Sequence, residues 1–221
     1  MRANDVVPLH VADVTYPEEH PLAGRTGPVL AFAIRLADGV VLVDTGLIRG
    51  NAWIDEHYEP RAREIRDALR EAGVAPEDVR LVVNTHVHFD HAGQNAAFPG
   101  IPIVVQDAEW ESAWEPGSPA SEWLDFADAR YVRVNGDTEI APGVRVLATP
   151  GHTPGHQSVT VATDDGVVLL VGQAAQDARA FATGEADATI ARLRTLNAER
   201  IHFSHDRAVL RRTERPPTAQ D

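Results

Sequence analysis

The chain has 221 residues, a formal net charge of −13 and no cysteine. This length suits one domain over residues 1–221, and the acidic balance argues against nucleic acid or an anionic membrane as a partner. Without cysteine there are no disulfides and no thiolate ligands, so a metal must be bound by histidine or carboxylate side chains. The first residues lack the pattern of a signal peptide, and no apolar run approaches the length of a membrane span. We therefore expect a cytoplasmic protein.

Runs of apolar and β-branched residues predict a chain dominated by strands. In chain order they cover residues 29–36, 40–46, 80–86, 101–106, 131–134, 144–149, 157–163 and 167–172. Two turn signals, Ala37-Asp38-Gly39 and Asp165-Gly166, predict hairpins. Helical periodicity is rarer. It predicts helices over residues 60–72, beginning at Pro60, over residues 90–97, capped by Asp90, and over residues 187–198.

One stretch of sequence occurs twice in similar form. DGVVLVDTG at residues 38–46 is similar to DGVVLLVGQ at residues 165–173. The repeat indicates two related halves rich in strands, with helices outside them. This arrangement predicts an α/β protein built as a four-layer α/β/β/α sandwich. A chance similarity between valine-rich strands is the alternative.

The segment NTHVHFDHAG at residues 84–93 carries the clearest chemical signal. Neutral imidazole and ionised carboxylate groups suit Zn²⁺ and similar divalent ions. Alternate residues of an extended segment share one face, so His86 and His88 are expected to point the same way. Asp90 and His91 follow where the chain turns, and they can aim at a second position. The H-x-H-x-D-H spacing therefore indicates a metal site rather than unrelated surface residues.

Further candidates follow later strands, where site residues collect. TPGHTPGHQ at residues 149–157 and FSHD at residues 203–206 make His152 and His205 candidate ligands, with His156 behind them. Asp44, in VDTG, can accept the N–H of a metal-bound imidazole. The alternative for Asp44 is an aspartate that caps a turn. The histidines without motif context are treated as ordinary residues: His10, His20, His57 and His202.

Taken together, VDTG, THVHFDHAG, TPGHTPGH and the late SHD resemble the metallo-β-lactamase superfamily over roughly residues 29–206. Residues 88–111 and 136–161 are most similar to its N-acyl-homoserine lactonase branch. The resemblance implies a hydrolase that opens a lactone or related ester by a metal-activated water. It also implies one or two bound zinc ions, with manganese or iron as alternatives. The expected substrate is a small molecule, and a homodimer is a possible assembly. Hence one metal is expected at His86, His88 and His152. The second is expected at Asp90, His91 and His205, with Asp90 also carrying a proton.

Two positions depart from the pattern of that branch. Gln173 stands where the superfamily has an aspartate that bridges both metals, and Gln176 stands where the lactonases have a tyrosine near the substrate carbonyl. Glutamine is neutral, and its NH₂ group cannot bind a cation. The departure leaves open a weakened pair of metals, a single metal, or Asp177 as a substitute ligand. It also leaves open a mononuclear enzyme of diverged chemistry, biosynthetic or iron-dependent, and a binding paralogue of low activity.

The walls of a substrate pocket are less well defined by sequence. Segments 46–58 and 107–126 are the candidates, with Trp53 and Trp110 as pocket residues. These tryptophans belong either to an apolar pocket or to the core. Likewise, residues 107–128 form either a helical cap over the site or ordinary surface helices.

Overall fold

The computed structural model describes residues 1–183 and 188–212. Its first sheet contains Val6–Thr15 (β1), Thr26–Leu36 (β2), Gly39–Val43 (β3), Arg61–Ala62 (β4), Val79–Val83 (β5), Pro102–Gln106 (β6) and Arg130–Val134 (β7). Its second sheet contains Thr138–Ala141 (β8), Val144–Ala148 (β9), Gln157–Thr163 (β10), Gly166–Leu170 (β11), Arg200–His202 (β12) and Leu210–Arg211 (β13). The strand orders are β4-β1-β2-β3-β5-β6-β7 and β13-β12-β11-β10-β9-β8.

Short helices cover the outer faces of both sheets. They are Ala52–Tyr58 (α1), Ile65–Glu71 (α2), Asp107–Ala113 (α3), Ser121–Leu124 (α4), Ala178–Thr183 (α5) and Ala188–Thr195 (α6). Single 3₁₀ turns occur at Ala3–Asp5, Pro76–Asp78 and Asn95–Ala97. In the described part of the chain the longest helix has eight residues, which is too short to cross a lipid bilayer.

Three buried apolar clusters define four layers. The inner cluster joins the facing sides of the sheets, where Phe32 and Val83 meet Val159 and Leu170. One outer cluster packs the first four helices on the first sheet, and the other packs α5 and α6 on the second sheet. The central strands, such as β2, β3 and β6, bury side chains on both faces, which explains why they are nearly continuous apolar runs. The predicted α/β/β/α sandwich is confirmed.

The sequence repeat coincides with equivalent places in the two sheets. Strand β3 is antiparallel to β2 and parallel to β5, and β11 is antiparallel to β10 and parallel to β12. Both predicted hairpins are confirmed by these pairings. The two similar segments therefore lead out of their sheets in the same way, into loops that begin with Asp44 in one half and contain Gln173 in the other.

Several element boundaries differ from the sequence prediction. The helix over residues 60–72 begins only at Ile65, because Arg61 and Ala62 pair with β1. The predicted helix over residues 90–97 is wrong, except that residues 95–97 form a 3₁₀ turn. The carbonyl of His91 accepts from the Thr45 N–H at 2.7 Å instead of continuing a helix. The helix over residues 187–198 corresponds to α6, and its first residue lies outside the described residues.

Strand β1 has no counterpart among the predicted strands. It contains Pro8, and a bulge between His10 and Ala12 shifts its register against β2. The bulge breaks the alternation of buried and exposed side chains on which strand prediction depends. This missed strand ends next to Tyr16, a residue that proves important for the site.

Candidate metal centre

The candidate ligands lie on loops at one edge of the two sheets. Asp44 and His86 follow the ends of β3 and β5, which are parallel neighbours. His152, Gln173 and His205 follow β9, β11 and β12, which run in the same direction. Because the carboxyl ends of parallel strands meet at one edge, residues far apart in sequence meet in space.

The first group consists of three imidazoles. His88 Nδ1 lies 3.1 Å from both His86 Nε2 and His152 Nε2, and the three ligand atoms all fall within 4.8 Å of one another. These three are the residues that the resemblance to the metallo-β-lactamase superfamily assigns to one metal. Three nitrogen donors with an open side toward solvent match the ligand count of a catalytic zinc site.

The second group combines a carboxylate with two imidazoles. Asp90 Oδ2 lies 3.5 Å from His91 Nε2 and 3.5 Å from His205 Nε2, and those two nitrogens are 3.2 Å apart. His205 Nδ1 lies 3.1 Å from the carbonyl oxygen of Pro28, to which it donates as an N–H. This hydrogen bond leaves the Nε2 lone pair of His205 directed at the cluster.

Asp44 fixes the orientation of His91. Its Oδ2 accepts from His91 Nδ1 and from the Thr85 hydroxyl, both at 2.8 Å, and its Oδ1 accepts from the Thr85 N–H at 2.7 Å. Asp44 itself has a positive φ of 62°, a conformation that aspartate tolerates better than most residues. A buried carboxylate behind an imidazole sets the tautomer that presents Nε2 to a metal.

Charges in the cluster favour the forms that bind metal. Burial favours the neutral form of Asp90, but the imidazoles of His91 and His205 outweigh it and lower the pKa of this carboxyl. Burial, together with His91 and His88, lowers the pKa of His86 well below its ordinary value. Asp90 is therefore an anion and His86 a neutral imidazole at neutral pH, as metal coordination requires.

His91 shows the opposite shift. Burial disfavours its charged form, yet Asp90 and Asp44 outweigh burial and raise its pKa to about 9. An imidazolium at this position supplies positive charge next to two carboxylates. Bound metal would supply that charge instead, which fits a site built for a cation.

Gln173 provides a direct test of whether these residues fit a metal. Its side-chain oxygen is buried and has no hydrogen-bond partner among the described residues. The same side chain lies next to His91 and contributes to the raised pKa of that imidazole. The positive group that this oxygen faces is the His91 imidazolium, and a cation at the cluster would satisfy the same acceptor. The residues present therefore fit a divalent metal.

His156 uses both ring nitrogens for support. Its Nε2 accepts from the backbone N–H of Gln173 at 2.9 Å, and its Nδ1 lies 3.1 Å from the carbonyl oxygen of Thr149. Burial lowers the pKa of His156 to about 3, so it stays neutral. A Cβ added to Gly172 would lie 2.6 Å from His156 Nε2, so glycine is needed there. His156 thus holds Gln173 and has no nitrogen free for a metal.

Glu109 was not recognised from the sequence, although it joins the two loops that carry the first group. Its Oε1 accepts from the Val87 N–H at 2.8 Å, between His86 and His88. Its Oε2 accepts from the Thr153 hydroxyl at 2.6 Å and from the Gly155 N–H at 3.1 Å. The sequence did contain one signal: Glu109 lies four residues before Ala113, so a helix places both on the same face, and that face of α3 is buried.

A cavity of about 420 Å³ opens over both groups. Its polar floor contains His88, Asp90, His152, Gln173 and His205, and its walls include Tyr16, His20, Tyr58, Phe89 and Trp123. The volume suits a small molecule with an apolar portion. The Trp123 indole N–H also donates to the Val87 carbonyl oxygen at 2.8 Å, so the wall is attached to the ligand loop.

The structure does not bring all predicted pocket residues to this cavity. Trp53 is 55% exposed and stacks on His57, one turn further along α1. Trp110 packs against Trp114 and Tyr131 on the outer side of α3. Gln176 is not among the lining residues of the cavity, but its amide donates to the hydroxyl of Tyr16, which does line it. Residues 107–128 contribute wall through α3 and α4, as in the helical-cap interpretation.

Comparison with known proteins gives consistent matches. A family model described as the metallo-beta-lactamase superfamily matches residues 24–205. An N-acyl homoserine lactonase of a Bacillus species is 37% identical over 156 residues, which are 65% of this chain and 62% of that protein. The chain therefore spans less than two thirds of the length of this curated relative.

Solved structures match over more of the chain. A crystal structure of a quorum-quenching N-acyl homoserine lactone hydrolase has a TM-score of 0.78 and 28% identity, over 94% of both chains. Another structure shows an N-acyl homoserine lactone hydrolase with its product, N-hexanoyl-L-homoserine, bound at the catalytic metal centre. It has a TM-score of 0.75 and 27% identity, over 91% of this chain and 92% of that chain.

Proposed function

Because this chain belongs to the metallo-β-lactamase superfamily, we propose that it is a metal-dependent hydrolase that opens the ring ester of a lactone. The observation that carries the proposal is that members of both ligand groups line one cavity: His88 and His152 from the first group, and Asp90 and His205 from the second. The similar proteins named as N-acyl homoserine lactonases support a lactone with an acyl chain as the substrate class.

Such a reaction needs residues that hold the metal ions. His86, His88 and His152 would hold one metal, and Asp90, His91 and His205 the second. We propose zinc as the metal, because imidazole and carboxylate groups are common zinc ligands. Manganese and iron are alternatives that the same ligands can bind. Bound there, the metal supplies a more acidic water and polarises the substrate carbonyl.

Asp90 can carry the proton that the reaction must move. Water adds its oxygen to the carbonyl carbon, and the ester bond to the ring oxygen breaks. The carboxylate of Asp90 accepts the proton released by the water and returns it to the ring oxygen, which leaves a hydroxy acid. The cavity walls, with Phe89 and Trp123, would hold the apolar part of the substrate and exclude other water.

Gln173 makes the two metal positions unequal. Its carbonyl oxygen can bind one cation, but it adds no charge, so Asp90 is the one anion among the proposed ligands. Two dications close together repel each other strongly, and a missing anion weakens the second position most. We therefore propose tight binding at the three histidines and weaker binding at the second group.

The decisive experiment measures metal content and hydrolysis on the same preparation. Protein purified without added metal or chelator is analysed for elements and assayed with N-hexanoyl homoserine lactone. We expect hydrolysis that rises with added Zn²⁺ or Mn²⁺ and is abolished in His88→Ala. As a matched control, His57→Gln, which replaces a histidine outside the cluster, should keep the wild-type rate.

The alternatives give different results in this experiment. Metal-replete protein that hydrolyses no lactone, ester or thioester contradicts the proposal and favours a binding paralogue. Coloured protein with iron as purified favours a mononuclear enzyme of diverged chemistry. One zinc per chain with full activity restricts the mechanism to the three histidines. Cytoplasmic location, a homodimer and the lack of a nucleic-acid partner stay predictions from the sequence.

A further inference from the structure

Three polar side chains connect the metal cluster to the cavity wall. Gln173 Nε2 donates to Gln176 Oε1 at 3.4 Å, and Gln176 Nε2 donates to the Tyr16 hydroxyl oxygen at 2.8 Å. Tyr16 follows β1, 160 residues before Gln176. Gly27 on β2 leaves room for this hydroxyl, since an added Cβ there would lie 2.7 Å from it.

We call the hydrogen bonds that link Gln173, Gln176 and Tyr16 the relay. Its donors and acceptors can be arranged in two directions, and a cation at the cluster would favour one of them. In the direction described, the Gln173 oxygen is free beside the metal cluster. In the reverse direction, Tyr16 would donate to Gln176, Gln176 would donate to Gln173, and the Gln173 NH₂ group would face the cluster. An NH₂ group is a donor only and repels a cation. A bound metal would therefore favour the direction in which the Gln173 oxygen faces the cluster.

The selected direction determines what the Tyr16 hydroxyl can do. Its oxygen accepts from Gln176, so its own proton is left for another acceptor, and the described residues offer none. Tyr16 lines the cavity whose floor contains Asp90 and His205, and its hydroxyl is close enough to Asp90 to feel the charge of that carboxylate. Burial, with Asp90 adding to it, raises the pKa of Tyr16 to about 12, so the proton is retained at neutral pH.

We propose that Tyr16 donates a hydrogen bond to the carbonyl oxygen of the bound substrate, and that Gln173 and Gln176 are positioning residues that direct its hydroxyl. This inference rests on the proposed function, since it assigns a group to the same reaction. Donors held in advance at the oxygen where negative charge develops stabilise the transition state more than the ground state.

The first test removes the hydroxyl alone. Tyr16→Phe should lower kcat for N-hexanoyl homoserine lactone by about 100-fold, with KM changed less than about threefold, as for other oxyanion donors. Its metal content should stay at the wild-type value. Tyr131→Phe is the matched control. That hydroxyl is half-buried, its pKa is also raised to about 12, and it donates to the Leu124 carbonyl oxygen outside the cavity.

A binding measurement checks the same contact without turnover. The γ-lactam analogue of N-hexanoyl homoserine lactone keeps the carbonyl acceptor and resists hydrolysis. Calorimetry on zinc-loaded protein should show about two- to threefold weaker binding to Tyr16→Phe, a loss at the lower end of that expected for one hydrogen bond. Binding to Tyr131→Phe should equal binding to the wild type.

Two substitutions of Gln176 separate positioning from general damage. Gln176→Leu interrupts the relay, so both kcat and the affinity for the second zinc equivalent should fall. Gln176→Glu still accepts from Gln173, but it takes the Tyr16 proton instead of donating to Tyr16. Gln176→Glu should therefore keep zinc affinity and lose kcat as severely as Tyr16→Phe. A role of Gln176 in packing alone would make the two variants alike.

The outcomes distinguish this inference from the proposed function. If the wild type hydrolyses no lactone but lactam binding still depends on Tyr16, the proposed function fails and the Tyr16 contact stands. If the wild type hydrolyses lactones and folded Tyr16→Phe matches it in kcat and lactam binding, the inference is overturned. Equal effects of Gln176→Leu and Gln176→Glu on zinc affinity and kcat would overturn the relay.

Discussion

At the scale of single residues, Gln173 gives the candidate metal centre an oxygen without a charge. Its position is well fixed, since its backbone N–H is bonded to His156 and its amide to Gln176. The side chain is therefore held by the fold and is not a loose surface substitution. What it lacks is the negative charge that would offset repulsion between two divalent ions.

This difference can be tested by restoring the charge. Gln173→Asp should raise the affinity for the second zinc equivalent by about tenfold or more, the size of effect known for supporting carboxylates. Competition with a chromophoric chelator measures that affinity. Gln173→Leu, which removes the oxygen, should lower it. If neither substitution changes the second affinity, Gln173 does not face the second position.

At the scale of elements, α3 secures two loops through one carboxylate. Glu109 bonds the peptide between His86 and His88 and also the loop that carries His152. The helix is short, so intrinsic helix stability contributes little, and packing against the first sheet holds it in place. Glu109 thereby sets the spacing between ligands that lie 64 residues apart.

Removing the Glu109 carboxylate should destabilise the protein, because buried backbone N–H groups would lose their hydrogen-bond acceptor. Glu109→Ala leaves the Val87 and Gly155 N–H groups buried without acceptors, so we expect a loss of about 3 kcal/mol in unfolding free energy. Urea denaturation of metal-free protein measures it.

The matched control lies on the same helix. Glu111 is 72% exposed and pairs with Arg133 at the surface, so Glu111→Ala should change the unfolding free energy by less than about 1 kcal/mol. Similar losses in the two variants would show that Glu109 acts only through general effects on α3.

At the scale of the whole molecule, the core between the sheets contains a histidine. His202 on β12 is 7% exposed, its ring lies 5.6 Å from Phe32, and its Nε2 has no partner among the described residues. Burial, with Arg200 and Arg211 adding to it, lowers the pKa of His202 to about 4. The folded protein therefore keeps this imidazole neutral.

This burial makes stability depend on pH in a definite direction. Between about pH 6.5 and pH 4 the unfolded chain binds the proton of His202 and the folded chain does not, so stability falls as pH falls. The contribution is fully present above about pH 6.5 and amounts to about 3 kcal/mol. His202→Leu should reduce the loss of unfolding free energy between pH 7 and pH 4 by roughly that amount. An unchanged loss in urea titrations at the two pH values would contradict it.

The parts of this molecule that follow from local sequence were predictable. Apolar runs predicted most strands, and the spacing of His86, His88, Asp90 and His91 predicted where the candidate metal ligands lie together. Tyr16 and Glu109 were missed because their partners lie far away in sequence, and neither belongs to a motif. The helix over residues 90–97 failed because a backbone bond from Thr45 captured a carbonyl that a helix would have used. Hydrogen bonds between residues far apart in sequence thus determine the features that local sequence patterns failed to predict.

The bond from Trp123 to the Val87 carbonyl gives the centre an optical readout. Trp123 is 7% exposed and touches the peptide between two proposed ligands, whereas Trp53 and Trp114 are largely exposed and Trp110 lies outside the cavity. A cation at His86 and His88 changes the electric field at that indole and leaves the other three nearly unaffected. Intrinsic fluorescence can therefore follow the loading of this protein without a label, and Trp123→Phe identifies the signal.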